Sequence, residues 1–214
     1  NGLPYLVIFH QLIFGLGLLV FFLLLVSFLI GLAGGWFLAR GKTLLPLKIN
    51  PKRDRLLVFT PHPDDEVLAL AGVLAWAKKR GVKVKLVFFT NGDANPYQFW
   101  QRKKFQYSPE EFIKVGEKRM VEARRAAKVL GLEKEELVFL GYPDGKISNL
   151  FRDQRKLISG STKTATNPYS DLVNYQREYR GENLRADLVR IINQFKPTKI
   201  FSPHLKDSNC LLYT

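Results

Sequence analysis

A histidine and three carboxylates lie within five consecutive positions, in the segment Pro61-His62-Pro63-Asp64-Asp65-Glu66. Imidazole nitrogens and carboxylate oxygens are ligands that a hydrolytic zinc site uses, with one position left open for water. His62 and Asp65 are three residues apart on a turn that enters a helix, so both can face one ion. Asp64 cannot easily share that direction. It is therefore free to act as the general base towards water that the metal has acidified.

The acidic residues of this segment also have a simpler interpretation. Asp and Glu stabilise the first turn of a helix through its dipole, and that alone accounts for acidic residues at this place. It does not account for a histidine held between two prolines. We therefore expect a site for Zn²⁺, or another divalent metal, with His62 and Asp65 as ligands.

The elements that must position these residues follow from the alternation of apolar runs with amphipathic segments. We predict strands at 55–60, 82–90 and 136–142 and from 199 onwards, and helices at 66–80, 108–130 and 184–195. This order predicts an α/β, Rossmann-like fold with a mostly parallel sheet and helices on both faces. Residues 151–180 are assigned to a loop or a small subdomain.

Each predicted strand ends in polar residues, and these four segments are 60–65, 90–93, 141–144 and 202–207. In open α/β sheets ligands bind outside the carboxyl ends of the strands. We therefore expect the four segments to converge on one site.

The first 39 residues contain no Lys, Arg, Asp or Glu. The apolar run from Leu12 to Ala39 exceeds the roughly 20 residues that cross a bilayer, so we predict a transmembrane anchor over 1–39. A signal peptide fits less well, because no basic residues precede the apolar run and the run is too long. A basic linker, 40–54, follows the anchor, and its positive charge predicts a single-pass protein with a cytoplasmic domain.

The net charge is +14, and all 33 basic residues follow the apolar segment. Such a surface favours anionic partners, namely lipid headgroups, phosphorylated substrates or nucleic acid. The predicted anchor makes the membrane the expected partner. Nucleic acid is not expected, because the basic residues form no recognisable nucleic-acid-binding module.

The segment Pro61–Glu66 resembles the signature of the N-acetylglucosaminyl-phosphatidylinositol de-N-acetylase family, also called LmbE-like deacetylases. Three further segments are similar, in the same order, to motifs of that family: Thr90-Asn91-Gly92-Asp93, Arg119-Met120-Val121-Glu122, and Leu140-Gly141 with Asp144. The resemblance covers about residues 53–209. It implies a zinc-dependent hydrolase that removes the N-acetyl group from an N-acetylglucosamine-type sugar conjugate.

The resemblance also implies a role for individual residues. His62 and Asp65 bind zinc, Asp64 is the general base, and Arg119 and Asp144 contact the sugar or its phosphate-bearing aglycone. Without the resemblance, Arg119 is a surface residue of a helix, and Asp144 is the central residue of a Pro-Asp-Gly turn.

The chain departs from the family pattern after the fourth predicted strand. The family continues to a His-Pro-Asp-His-like segment, which supplies a third zinc ligand and a histidine that steadies the oxyanion. Here Asn209 and Leu212 stand near those two positions, and His204 lies five residues before the first. The alternative function is therefore a membrane-tethered, non-catalytic sugar-binding module that has lost the third ligand.

The sequence begins at Asn1 and stops at Thr214. We expect a fragment, in which the deacetylase-like domain, 55–214, lacks its C-terminal part.

Overall fold

The computed structural model describes residues 3–40, 48–95, 107–152 and 155–203. Contacts divide the chain into two units, Asn1–Lys48 and Ile49–Thr214. The first unit contains helix α1, Leu3–Arg40. Its stretch Gly15–Gly34 has a mean hydropathy of 2.9 and no buried part, and it is long and apolar enough to cross a membrane. Residues 41–47 of the predicted linker lie outside the described residues.

The second unit is built around a four-stranded sheet in which every strand runs parallel to its neighbours. The strands are β1 (Arg55–Thr60), β2 (Lys83–Phe88), β3 (Leu137–Phe139) and β4 (Lys199–Phe201), in the spatial order β3-β2-β1-β4. The helices are α2 (Asp65–Lys79), α3 (Pro109–Val129), α4 (Ile147–Arg152) and α5 (Gly181–Phe195), with a 3₁₀ turn at Lys134–Glu136. The predicted α/β fold with a parallel sheet is confirmed.

The two faces of β1 lead into two separate hydrophobic cores. Leu56 and Val58 face a core to which α2 and α3 contribute Leu74, Ala77, Met120 and Ala123. Leu57 and Phe59 face the opposite core, to which α4 and α5 contribute Ile147, Leu150, Leu184 and Ile191. Because side chains alternate along a strand, a β1 that is apolar at every one of these positions must be covered on both sides. Helices therefore cover both faces, as predicted.

Helix α3 begins where the sequence predicts. Ser108 is the N-cap, and its side chain accepts a hydrogen bond from the backbone N–H of Glu111, while the Glu111 side chain reaches back to the N-cap. Pro109 occupies the first helical position. This capping box satisfies two N–H groups that a helix end otherwise leaves unpaired.

Strand β3 is shorter than the predicted 136–142. The backbone of Leu140 still donates to the Phe88 oxygen at 2.9 Å, and that of Tyr142 to the Phe89 oxygen at 2.9 Å. Between them Gly141 has a φ of +63°, a conformation outside the β region, so the regular strand ends at Phe139.

The sheet order changes direction at β1, because the chain continues to β2 on one side and β4 lies on the other. In open α/β sheets this switch point is the place where ligands bind. The segment that follows β1 is held against the end of β2, since both the backbone N–H and the hydroxyl of Thr90 donate to the Pro61 oxygen at 3.0 Å.

The segment 151–180, which the sequence assigns to a loop or a small subdomain, is held by backbone and side-chain hydrogen bonds over the part that the structure describes. It carries one antiparallel bridge, between Thr166 and Glu178, and it buries Tyr169 and Tyr179. The Tyr179 hydroxyl donates to the Gly141 oxygen at 3.1 Å. Polar contacts of this kind attach the segment to the chain that follows the parallel strands.

Candidate active site

The site begins at the carboxyl end of β1, where His62 lies between two carboxylates. Its Nε2 is 2.8 Å from Asp144 Oδ1, and its Nδ1 is 3.5 Å from Asp65 Oδ2. The backbone N–H of His62 also donates to Asp65 Oδ2 at 2.9 Å. The structure thus brings together the two predicted metal ligands and Asp144, which follows β3.

This arrangement fits two ligands of a zinc ion. Zn–N and Zn–O bonds of about 2.0–2.2 Å at a tetrahedral ion set two ligand atoms roughly 3.4 Å apart. The distance of 3.5 Å between His62 Nδ1 and Asp65 Oδ2 agrees with that separation. A histidine that binds metal through one ring nitrogen usually donates from the other to a carboxylate, which is the position that Asp144 has here.

The charges around His62 favour its protonated form when no metal is bound. Burial acts to lower the pKa of His62, but the hydrogen bonds and charges of Asp144 and Asp65 outweigh it and raise the pKa to about 9. For Asp144 burial acts in the raising direction, and the hydrogen bond and charge of His62 outweigh it, so its pKa is lowered. The pair is therefore a partly buried imidazolium–carboxylate contact at neutral pH.

Asp64 is the N-cap of α2, with a φ of 128° that non-glycine residues rarely adopt. Its backbone N–H donates to Glu66 Oε2 at 3.0 Å, and its Oδ2 accepts from Arg119 Nη2 at 2.9 Å. The pKa of Asp64 is raised, chiefly by burial, although the Arg119 charge opposes this. A raised pKa brings a carboxylate closer to the range in which it accepts a proton effectively at neutral pH.

Arg119 is buried on the inner face of α3 and is only 7% exposed, which contradicts its interpretation as a surface residue. Its guanidinium donates to three acceptors, namely the Pro63 oxygen, the Gly92 oxygen and Asp64 Oδ2. Gly92 has a φ of +64°, and a Cβ at that position would collide with the guanidinium. Glu122, the second charged residue of the Arg-x-x-Glu segment, is exposed and pairs with Lys118 at 3.5 Å.

Asp93, to which the sequence analysis assigns no site role, is buried beside the site with 4% of its surface exposed. Its carboxylate accepts from the Tyr169 hydroxyl at 2.9 Å and from the Ser161 hydroxyl at 3.1 Å. Burial, assisted by the charge of Asp144, raises the pKa of Asp93 to about 6. Its place in the Thr-x-Gly-Asp segment was a usable signal, whereas nothing in the sequence marks Tyr169 or Ser161.

Two cavities open beside the turn that follows β1. One, of about 430 Å³, is lined by polar residues that include Asp64, Glu66 and Arg119. The other, of about 340 Å³, is more apolar and is lined by Asp65, with Phe59 and Phe201 among its walls. Asp64 and Asp65 thus line different cavities on the two sides of this turn.

A third metal ligand is not found within the described residues, which contain no group of three or more His, Cys, Asp or Glu side chains able to hold one ion. The segment in which the family carries this ligand, with His204, Asn209 and Leu212 in this chain, lies outside those residues.

The sequence profile of one family, described as PIG-L, GlcNAc-PI de-N-acetylase, matches residues 57–210. No curated protein matches this chain.

The solved structures that are similar to it include the following three. N,N'-diacetylchitobiose deacetylase from Pyrococcus horikoshii is 20% identical, with a TM-score of 0.37, over 64% of this chain and 49% of that one. The 4-carboxy-2-hydroxymuconate hydratase GalB from Pseudomonas putida is 22% identical, with a TM-score of 0.36, over 70% and 62%. The conserved protein TT1542 from Thermus thermophilus is 24% identical, with a TM-score of 0.30, over 70% and 61%. The chain thus spans between about half and two thirds of the length of these structures.

Proposed function

Because this chain belongs to the PIG-L family of GlcNAc-PI de-N-acetylases, we propose that it is a zinc-dependent hydrolase of N-acetylated amino-sugar conjugates. The proposed reaction cleaves the amide of an N-acetylglucosamine-type sugar and releases acetate and a free amine. The observation that supports the metal most directly is the 3.5 Å separation of His62 Nδ1 and Asp65 Oδ2. The Asp144 carboxylate at the other ring nitrogen of His62 adds to it.

His62 and Asp65 are the residues that would hold the zinc. When bound, zinc supplies Lewis-acid chemistry, by which it polarises a carbonyl group and acidifies water. Metal binding would require His62 to give up its Nδ1 proton, which faces Asp65, while the contact of Nε2 with Asp144 keeps the ring in place.

Asp64 is the proposed general base. Two observations support this role, namely the raised pKa of Asp64 and its place on the wall of the 430 Å³ cavity. Arg119 fixes the Asp64 carboxylate at 2.9 Å and lines the same cavity, so we assign it both the orientation of the base and a contact with the substrate. Asp144 is assigned to the orientation of His62, in addition to the sugar contact that the resemblance implies.

The proposed setting is a membrane. Helix α1 contains a stretch long and apolar enough to span it, and the basic residues that follow favour a cytoplasmic domain. A glycolipid is accordingly the substrate form that we favour. The competing function is a tethered sugar-binding module without turnover, which the residues Asn209 and Leu212 support because they stand near the expected histidines.

The test combines metal binding with turnover in the full chain. Zinc should bind to the wild type, and His62→Ala should abolish that binding. Asp64→Asn should retain the metal while deacetylation of an N-acetylglucosamine conjugate falls by roughly 10²–10⁴-fold. A wild-type chain that binds the conjugate but shows neither zinc binding nor water-dependent turnover would favour the binding module instead.

A further inference from the structure

One short turn, Gly92–Ala94, contacts both Arg119 and Asp144, the two side chains that hold Asp64 and His62. On one side the Gly92 oxygen accepts from Arg119 Nη1 at 3.2 Å, and Arg119 in turn holds Asp64. On the other side the Ala94 N–H donates to Asp144 Oδ2 at 3.2 Å, and Asp144 in turn holds His62. The proposed base and the proposed metal ligand are therefore both restrained through the backbone of the same three residues.

The residue between these two contacts is attached to a different part of the chain. Both carboxylate oxygens of Asp93 accept hydroxyl hydrogen bonds from the segment 155–180. The Ser161 hydroxyl also contacts that of Ser159 at 3.0 Å. The Tyr169 ring is buried against α3, where the Gly116 position has no room for a Cβ because of the tyrosine hydroxyl. The segment thus holds Asp93 through the buried side chains of Ser161 and Tyr169.

We propose that Asp93 is a positioning residue, which binds Tyr169 and Ser161 and thereby holds the turn 92–94 where it restrains Arg119 and Asp144 together. This inference rests on the proposed function, which assigns Arg119 and Asp144 to the orientation of the general base and of a metal ligand. Both backbone contacts are already 3.2 Å long, near the upper limit of an N–H···O hydrogen bond. A shift of the turn by about 1 Å would break one or both, and errors of that size cost an active site about 10²-fold in rate.

A matched pair of variants separates positioning from general stability. Tyr169→Phe removes one hydroxyl from Asp93. Tyr142→Phe removes an equally buried hydroxyl, which donates to Asp187 Oδ2 at 2.8 Å and has no contact with the turn. Each variant removes one hydroxyl donor from a buried carboxylate. Asp187 keeps its contacts with Arg177 and Arg190, so the free energy of unfolding is measured for both variants and exchange rates are compared at equal stability.

The first measurement is hydrogen exchange at the Ala94 amide in the full chain without metal. We expect exchange about 10-fold faster in Tyr169→Phe than in Tyr142→Phe, because only the former frees the turn. The second is zinc affinity, which we expect to fall by about 10-fold in Tyr169→Phe alone, the lower end of the effect of residues that orient metal ligands.

Two substitutions of Asp93 itself complete the test. Asp93→Asn keeps an acceptor for Tyr169, and its amide can donate to the Ser161 oxygen, so Ala94 should remain protected. Asp93→Ala should expose it, because the turn is freed and because the Asp93 carboxylate itself contacts the Ala94 N–H. Equal exchange at Ala94 in the two tyrosine variants, or in Asp93→Asn and Asp93→Ala, would overturn the inference. Absence of zinc binding in the wild type would instead refute the proposed function, since the exchange measurement needs no metal.

Discussion

Replacement of Asp144 by Asn should remove most of the pH dependence that His62 gives to the stability of the metal-free protein. The pKa of His62 is raised from 6.5 to about 9, against the effect of burial, by Asp144 and Asp65. A shift of about 2.5 pKa units corresponds to roughly 3 kcal/mol of unfolding free energy. Because the folded-state pKa is the higher one, this contribution is complete below pH 6.5 and disappears as the pH rises through 9.

The assay is urea unfolding of the full chain in detergent with a metal chelator, at pH 6.5, 8 and 9.5. The wild type should lose about 3 kcal/mol over this range, whereas Asp144→Asn should lose less than half as much, since Asp65 at 3.5 Å is the remaining partner. Histidine-labelled NMR spectra should show the pKa of His62 falling by at least about one unit in the variant. A wild-type stability that does not change between pH 6.5 and 9.5 would refute the proposed imidazolium–carboxylate contact.

Three further predictions concern residues around the same turn. Burial raises the pKa of Asp93 from 3.8 to about 6, so stability should fall by about 2 kcal/mol as the pH rises from 4 to 6.5, and Asp93→Asn should flatten that slope in urea titrations. Gly92→Ala should displace the guanidinium that anchors Asp64 and lower both stability and turnover, whereas Gly72→Ala, in an open position of α2, should stabilise the fold by about 0.5–1 kcal/mol. Asp64→Gly should be more stable than Asp64→Ala by about 1 kcal/mol, because φ is 128° there, while at Asp65 the alanine variant should be the more stable of the two.

Much of the fold was predictable because it depends on local patterns. The doubly apolar β1 required helices on both sides of the sheet, and the capping box at Ser108 fixed the start of α3. The segment 155–180 was not predictable in the same way. Its order depends on side-chain hydrogen bonds to backbone oxygens, such as that of Asn167 with the Leu140 oxygen at 3.2 Å, and these leave no periodicity in the sequence.

The candidate site was predictable only where its residues are close together in the sequence. His62, Asp64 and Asp65 lie close together in the sequence, and their types alone suggested a metal and a base. The contact between His62 and Asp144 joins residues 82 positions apart, and only the parallel register of β1, β2 and β3 brings them together. Arg119 was ambiguous because an arginine on a helix is usually exposed, and its burial depends on three acceptors that the fold supplies.

The backbone of Asp64 argues against helix capping as the only role of this residue. An aspartate at an N-cap ordinarily accepts a hydrogen bond from the first turn of its helix, which stabilises a helix by about 1 kcal/mol. Asp64 is the N-cap of α2, yet its side chain makes no capping hydrogen bond, and its φ of 128° costs a further 1–3 kcal/mol or so. The carboxylate is directed to Arg119 instead, and Glu66 holds the Asp64 N–H. A residue whose only task was to cap the helix would avoid both costs. The fold therefore gives up stability at this position to direct the carboxylate to Arg119 at the cavity wall, which supports the proposal that Asp64 is the general base.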